Sequence, residues 1–597
     1  MAGQSQAAVA SQFIPVLAAL LLAVNAQASN AYRNFKVAIY IRSYEVRQMK
    51  DAAWLEARWR VIEKELHVDN VYIETYRDDV IPDEQTLESV KAFFATRGVQ
   101  TAGGIAAVRN ERDHFRSFCY SDPGERQKLK DAVEFTARHF DELILDDFFF
   151  TSCVTDSEIR AKGNQSWTGY RLALMTDVAR NVVIGPARAV NPRIKLVIKY
   201  PNWYDHYQFS GYNLETESKL FDGIYTGTET RDPVYNDQHL QPYEGYEIVR
   251  FLDNVKPGGN GGGWVDPPNR QYLDRYAEQL WLTLFAKAPE ITLFDFRQLI
   301  DPVLGPDGSP QPDTLIGRVA GYTFEQADGY LGALGNPVGL KSYKPLNSSG
   351  EDFLANYLGM LGIPIELTPT FPTDAPILLL TEQAKFDPAI VGKIKQQLVA
   401  GKNVVITSGL LRALAGKGIE DIAEIEYTDR KAIAHQFGSS GHFVNSESDI
   451  MIPEIRYPTN DAWETITCLA SGVGYPILLQ SAYSKGTLYV LTIPDNFGDL
   501  YKLPTETLTR IKEVLTKDLF VRVEAPAQVS LFAYDNDSFI VESFLPHGES
   551  ARIVTDKRIA AIRDLTTGQR LEGQPEGDRM VYRTYLQPHT YKVFGSR

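Results

Sequence analysis

Asp141-Glu142-Leu143-Ile144-Leu145-Asp146-Asp147-Phe148 is a short apolar run closed by two adjacent carboxylates. A run of this length reads as a strand buried on both faces, the kind found in parallel sheets covered by helices. Its flanks support that reading. Residues 125–140 before it and 169–189 after it carry helical apolar spacing, and a second buried run, 194–200 (IKLVIKY), follows. Strand, helix, strand is the repeating unit of a parallel sheet with crossover helices.

The rhythm continues in both directions. Upstream lie strand patterns at 36–42 (KVAIYIR), 71–76 (VYIETY) and 101–108 (TAGGIAAV); downstream, 221–226 (FDGIYT), a weaker Gly-rich stretch at 261–266 (GGGWVD), and 291–296 (ITLFDF). Helical patterns at 53–66, 84–95 and 271–287 fill other gaps. Eight strands in roughly 265 residues is the size of a TIM (β/α)8 barrel. A doubly wound open sheet is the alternative, but no Gly-rich dinucleotide fingerprint follows the first strand.

At 597 residues the chain exceeds what one hydrophobic core supports. A second strand–helix–strand rhythm begins near residue 340, with buried runs at 375–380 (APILLL), 403–407 (NVVIT) and 486–493 (GTLYVLTI). It predicts a flavodoxin/amidotransferase-like α/β domain over 339–522; the stretch 411–476 resists assignment. Short strand patterns at 529–533, 539–544, 550–554 and 581–585, separated by turn residues, predict a small antiparallel β-sandwich over 523–597. The barrel is expected over 29–338. Residues 14–24 (IPVLAALLLAV) followed by Ala26-Gln27-Ala28 read as a signal peptide over 1–28, although Met1–Gln12 contains no Lys or Arg. The mature protein is therefore expected to be secreted or periplasmic, with no membrane span.

The net charge of -15 argues against a nucleic-acid partner. Three cysteines, Cys119, Cys153 and Cys468, do not make a disulfide scaffold. Cys119 and Cys153 fall in neighbouring barrel loops, and both a disulfide and two free thiols are consistent with that. No His-Glu-x-x-His, no paired-His spacing and no Gly-x-Ser-x-Gly elbow occurs, so neither a cofactor nor a metal is expected. The Gly258–Gly263 run lacks the Lys-Ser/Thr of a phosphate loop and reads as a flexible barrel loop.

In this fold, chemistry sits at the C-terminal strand ends. Asp146 and Asp147 close the fourth strand there; by alternation one faces the barrel axis and the other packs outward. Glu229 follows the sixth strand in Thr226-Gly227-Thr228-Glu229-Thr230-Arg231 and would project over the pocket, with Arg231 to orient a carboxylate or substrate. Lys199 ends the fifth strand, and its ammonium needs a carboxylate such as Asp146 or Asp147. Tyr200, Trp203 and Tyr204 follow it and offer flat faces and polar edges suited to sugar rings, with Asn202 among them as a further substrate-binding candidate. Arg42, Trp264, Asp266 and Asp295 close other strands as further substrate-binding candidates, as do Tyr44, Glu74, Arg77, Arg109 and Asn110 with less support. Two carboxyls of unequal pKa in one cleft are what glycoside hydrolysis requires. Asp146 or Asp147 is assigned as the ionised partner and Glu229 as the acid/base, acting on a carbohydrate substrate.

The succession of domains, and in particular APILLLTEQAKFDPAIVGKIKQQLVAGKNVVITSGLL at Ala375–Leu411, resembles family-42 β-galactosidases and their middle, trimerisation domain. The resemblance implies a glycosidase that self-associates. It does not extend to the catalytic motif: that family places Glu after strands four and seven, where this chain has Asp146-Asp147 and Asp266. The Asp after strand four is nearer to α-galactosidase-type barrels. A divergent glycosidase family is therefore expected; the alternatives are a carbohydrate-binding barrel without an acid and a lyase acting on uronic acids.

Overall fold

The computed structural model describes residues 31–596 except 114, 268–271, 303–307, 311–313, 440 and 460. Residues 1–28, where the sequence predicts a signal peptide, lie outside them.

The first half is a closed parallel barrel. Its strands are β1 (Lys36–Ile41), β2 (Asn70–Tyr76), β3 (Gln100–Ile105), β4 (Glu142–Leu145), β5 (Lys195–Tyr200), β6 (Gly223–Gly227), β7 (Asn260–Val265) and β8 (Glu290–Phe294), and β8 pairs with β1 to close it. The Gly-rich 258–263 stretch is thus not simply a flexible loop: from Asn260 onward it is β7, paired on both sides. Glycines there let other groups approach; a methyl on Gly263 would stand 2.2 Å from the Thr283 side chain.

Side chains alternate across each strand, so the interior is filled by Ala38, Tyr40, Tyr72, Ala102, Ile144, Val197, Tyr225 and Trp264. Gly104 leaves room for the Tyr40 ring, which would otherwise meet a methyl at 2.8 Å. The outer faces pack on helices such as Ala52–Glu65, Pro123–His139 and Leu273–Phe285. Asp51, Asp83 and Asp122 accept N–H groups at the starts of their helices, satisfying donors that the first turn leaves orphaned.

The middle unit is built on a nine-stranded sheet. Strands β9 (Leu340–Tyr343), β10 (Ile365–Thr368), β11 (Ile377–Leu380), β12 (Asn403–Thr407) and β17 (Gly486–Leu491) are parallel in the spatial order β10-β9-β11-β12-β17, which is the flavodoxin order. The unassigned stretch supplies four long antiparallel strands, β13 (Glu426–Ser439), β14 (His442–Arg456), β15 (Ala462–Ala470) and β16 (Val473–Tyr483), that extend the same sheet.

The last unit packs a six-stranded sheet on a four-stranded one, as a sandwich requires. Leu531, Phe539 and Phe594 from the first meet Val523, Ile553 and Tyr582 from the second. Pro337–Val338, just after the last barrel helix, pairs with Ala533 and Tyr534 and belongs to this sandwich. Phe532 stacks on Tyr243 of a barrel helix at 5.4 Å and 17°. Among the described residues no helix is long and apolar enough to cross a membrane.

Candidate active site at the barrel mouth

Lys199, the penultimate residue of β5, organises the mouth. Its Nζ donates to Asp147 Oδ2 at 2.9 Å and to Glu229 Oε1 at 2.6 Å, and lies 3.6 Å from Asp146 Oδ1. An ammonium has three N–H donors, and three carboxylates surround it. Its side chain is only 2% exposed and sits 4.4 Å above the centre of the Trp264 ring. Burial alone would lower the Lys199 pKa; Asp147, Glu229 and Asp146 outweigh it and hold the amine protonated.

The two aspartates are not split between axis and exterior. Asp146 continues the inward face of Ile144, but β4 ends at Leu145, so Asp147 is no longer bound by strand alternation. Its amide donates to Asp146 Oδ1 at 2.8 Å, and its side chain turns over the mouth, 19% exposed against 2% for Asp146. Arg77, after β2, donates to Asp146 Oδ2 at 2.9 Å and to Glu74 and Glu111. Glu74 also accepts from Tyr40 Oη at 2.8 Å and the Ser43 amide at 2.7 Å.

Glu229 is turned inward because its neighbours are used outward. The Thr228 amide and hydroxyl both bond the Trp264 carbonyl, and Asn202 Nδ2 holds the Glu229 carbonyl at 2.7 Å. Gly227 makes the fold-back feasible: a methyl there would stand 2.5 Å from Glu229 Oε2. Beyond it Arg231 makes a bidentate pair with Asp266, at 3.0 and 2.8 Å. Arg42 pairs with Asp295 at 2.8 Å and with Glu45, and Asp295 also caps helix Phe296–Ile300.

The electrostatics separate the acids. Burial pushes Glu229 up to about 7, with Lys199 opposing and the charges of Asp147 and Asp266 adding to the rise. Burial also pushes Asp147 up, but Lys199, together with Asp146 and Arg77, outweighs it and holds this carboxyl below its ordinary range. Asp146 is raised to about 7 by burial and by Asp147, against Lys199 and Arg77. The mouth therefore holds one carboxyl kept ionised, Asp147, and two that take up a proton near neutrality, Glu229 and Asp146; Asp147 and Glu229 share one ammonium.

Asp146, Asp147, Lys199, Glu229, Arg231 and Asp266 come together, with Arg42 and Asp295 on the β1–β8 side. Four expected substrate contacts are engaged within the protein itself. Tyr200 points out of the barrel and is buried among Tyr207 and Tyr212, because it follows the inward Lys199 by one residue. Trp264 is 1% exposed beneath Lys199. Trp203 packs edge-on against Phe150. Asn202 supports the Glu229 loop rather than a ligand. Tyr40, Glu111, Tyr212, which donates to the Asp147 carbonyl, and Gln238, which bridges Asn202 and Arg231, were not foreseen; nothing in their local sequence distinguishes them. Among the described residues no group of three or more His, Cys, Asp or Glu is arranged to hold a metal ion. Cys119 and Cys153 form a disulfide that joins the loops after β3 and β4, while Cys468 is a buried thiol.

A family model described as probable glycosyl hydrolase, catalytic domain, matches residues 24–328. One described as the second domain of the uncharacterized protein SSO3021 matches 335–496, and one described as probable glycosyl hydrolase, C-terminal domain, matches 520–596. The uncharacterized protein SSO3021 of Saccharolobus solfataricus is 24% identical over an alignment spanning 77% of this chain and 82% of that protein. The fold is similar to Gan42B, a GH42 β-galactosidase from G. stearothermophilus (TM-score 0.64, 11% identity, 95% of this chain and 99% of that one). It is also similar to the β-galactosidase of Bacillus circulans sp. alkalophilus (TM-score 0.61, 10% identity, 94% and 99%). Both likenesses run over nearly the whole of each chain, so they extend across the barrel, the α/β domain and the sandwich together.

Proposed function

This chain belongs to the family of probable glycosyl hydrolases, and from that premise we propose that it cleaves O-glycosidic bonds of oligo- or polysaccharides with retention, Asp147 acting as nucleophile and Glu229 as acid/base. The observation that carries the reading is the shared ammonium. With Lys199 Nζ 2.9 Å from one carboxyl and 2.6 Å from the other, the two bonded oxygens stand within 5.5 Å of each other. Retaining enzymes hold their carboxyls about 5–5.5 Å apart, inverting ones roughly 6.5–9.5 Å.

The first step moves one proton and one bond. The Glu229 carboxyl gives its proton to the glycosidic oxygen as the C1–O bond breaks, and Asp147 Oδ forms a bond to C1. Esterification removes the Asp147 negative charge, one of the groups that holds the Glu229 pKa up. Glu229 is then more acidic and, as carboxylate, takes a proton from the water that attacks C1. Water's oxygen bonds to C1, the ester breaks, and Asp147 returns to its ion pair with Lys199.

The mouth does not favour a uronic-acid substrate. Glu45, Glu74, Glu111, Asp146, Asp147, Glu229, Asp266 and Asp295 outnumber Arg42, Arg77, Lys199 and Arg231, and each of those cations already has a carboxylate partner. A substrate carboxylate would add to the surplus of negative charge.

The test is a panel of polysaccharides and 4-nitrophenyl glycosides, with the first-formed anomer followed by NMR. Release of the same anomer as the substrate, with turnover lost in Asp147→Asn and Glu229→Gln and saccharide binding retained, is the expected result. An inverted first product would overturn the mechanism, and turnover unaffected by both variants would overturn the site.

We further propose export to an oxidising compartment. The Cys119–Cys153 disulfide supports it, because such bonds persist in secreted and periplasmic proteins. Self-association is proposed through the β13–β14 hairpin, where Ile433 and Met451 pair across the strands and are 61% and 46% exposed; light scattering of the wild type against Ile433→Lys tests it.

A further inference from the structure

We propose that Phe115 and Phe148 form a stacking platform for a second sugar unit on the glycone side of the scissile bond, one position beyond the sugar that reacts with Asp147. The inference rests on the glycosidase reading above and extends it to a subsite.

Phe148 follows Asp147 directly, so its placement is tied to that of the nucleophile. Its ring stacks on Phe115 with centroids 5.5 Å apart and planes at 16°. The Arg77 guanidinium lies 5.5 Å from the centre of the same ring, and this is the arginine that holds Asp146. With Phe148 occupied by Arg77 and Phe115, the open face is that of Phe115, which is 49% exposed.

The exposed ring is held in place. Phe115 lies in a short hairpin in which Val108–Asn110 pairs with Arg116–Ser117. Arg77 donates to Glu111 at 3.1 Å, the Glu111 amide donates to Asp78 at 2.8 Å, and the Ser152 amide donates to Ser117 Oγ at 3.1 Å. The Cys119–Cys153 disulfide closes the far end. Phe115 itself has φ +53°, a left-handed conformation that bulky side chains seldom adopt. Such strain persists where the surroundings over-determine it, and it clusters at ligand clamps. The hairpin thus keeps a large apolar ring exposed in a fixed position, stacked on the residue that follows Asp147.

The chemistry of that partner follows from the ring. Phenylalanine has no hydroxyl, so it recognises a flat, hydrogen-rich face such as the C–H side of a pyranose. Position gives the side. Glu229 must stand at the leaving oxygen and arrives from β6, while the platform arrives from the loops after β3 and β4, with Asp147 and Lys199 between them. The leaving group therefore lies toward Glu229 and the glycone toward Phe115.

The test compares kcat/KM on the 4-nitrophenyl monosaccharide and the 4-nitrophenyl disaccharide of the sugar that the enzyme turns over. The wild type should favour the disaccharide by about tenfold, the scale of a stacking contact. Phe115→Ala should bring that ratio close to one, and Phe115→Trp should keep it. Calorimetric titration of the free disaccharide into Glu229→Gln, with and without Phe115→Ala, should show the same loss of about tenfold in affinity. A wild-type ratio of one, or a Phe115→Ala ratio equal to that of the wild type, would overturn the platform alone. No turnover of any glycoside together with no saccharide binding would instead overturn the reading of the site on which it rests.

Discussion

The carboxylate of Asp146 accepts the backbone N–H of its own neighbour, Asp147, at 2.8 Å, while its other oxygen takes Arg77 at 2.9 Å. Two consecutive acids thus do different work: one sets the backbone from which the other reaches the mouth. Asp146→Asn preserves an acceptor for the amide but loses the charge. It should lower kcat/KM on the order of tenfold, within the range that supporting residues show. Asp146→Ala leaves the Asp147 amide without its acceptor and removes one of the three carboxylates on Arg77, so it should cost more, with thermal stability lowered as well.

The pH profile should be bell-shaped. Asp147, held below its ordinary range, must be ionised, so activity should fall only in acid well below neutrality. Glu229 must be protonated and is raised to about 7, so the alkaline limb of kcat/KM should fall near neutrality. Lys199 lowers both pKa values, so Lys199→Met should move both limbs to higher pH while reducing the maximal rate by at least about a hundredfold. A variant whose limbs stay in place would show that Lys199 does not set the two acids.

Gly227→Ala puts a methyl where the Glu229 carboxyl folds back. The chain should still fold, since the other contacts within 4 Å can relax by tenths of an ångström, but Glu229 must swing away. Turnover should drop by ten- to a hundredfold, a typical cost of small misplacement at a reacting centre. A crystal structure of the variant with Glu229 displaced would tie the loss to its cause.

Glu244 and Glu247, on the helix after β6, are buried at the contact with the middle domain, and burial raises both far above the ordinary carboxyl range. Neither Glu247 oxygen has a hydrogen-bond partner. A carboxyl raised in the fold binds its proton more tightly there than in the unfolded chain. Stability is then highest in mild acid and declines as pH rises above the ordinary glutamate value of about 4.3. Glu247→Gln should raise the melting temperature at pH 8 and change it little at pH 5. Equal effects at both pH values would argue against a proton held at this site.

The disulfide closes the stretch from Cys119 to Cys153, a separation of 34 residues, which begins just after the Phe115 hairpin and includes Asp147. Replacing both cysteines by serine should cost about 2–4 kcal/mol in denaturant unfolding of the barrel. It should also weaken disaccharide substrates more than monosaccharide ones, because the hairpin loses one of its anchors.

The barrel was legible because its signal is local. Runs such as KVAIYIR and ELIL declare themselves by length and apolarity, and Asp146, Asp147, Lys199 and Glu229 stand out as charges at the ends of such runs. What stayed hidden depends on distance in sequence. Strands β13 to β16 are long, amphipathic and pair antiparallel on the end of a parallel sheet, so neither of the periods sought in an α/β unit marks them. Alternation misplaced Asp147 because the strand ends with the apolar run at Leu145 and does not continue through the two carboxylates. Tyr200 is a sugar face by residue type alone; its direction, out of the barrel, follows from its place one residue after the inward Lys199. The Phe115–Phe148 stack joins residues 33 positions apart in sequence, and no spacing rule brings them together.

Pro337–Val338 enters the terminal sandwich before the middle domain begins, and Phe532 seats that sandwich on Tyr243 of the barrel. The three units are consequently not beads on a string. Truncation near residue 520 would strip aromatic cover from a barrel helix and leave an unpaired edge at Val338, so expression trials that crop the C-terminus for convenience should yield aggregates rather than a minimal hydrolase.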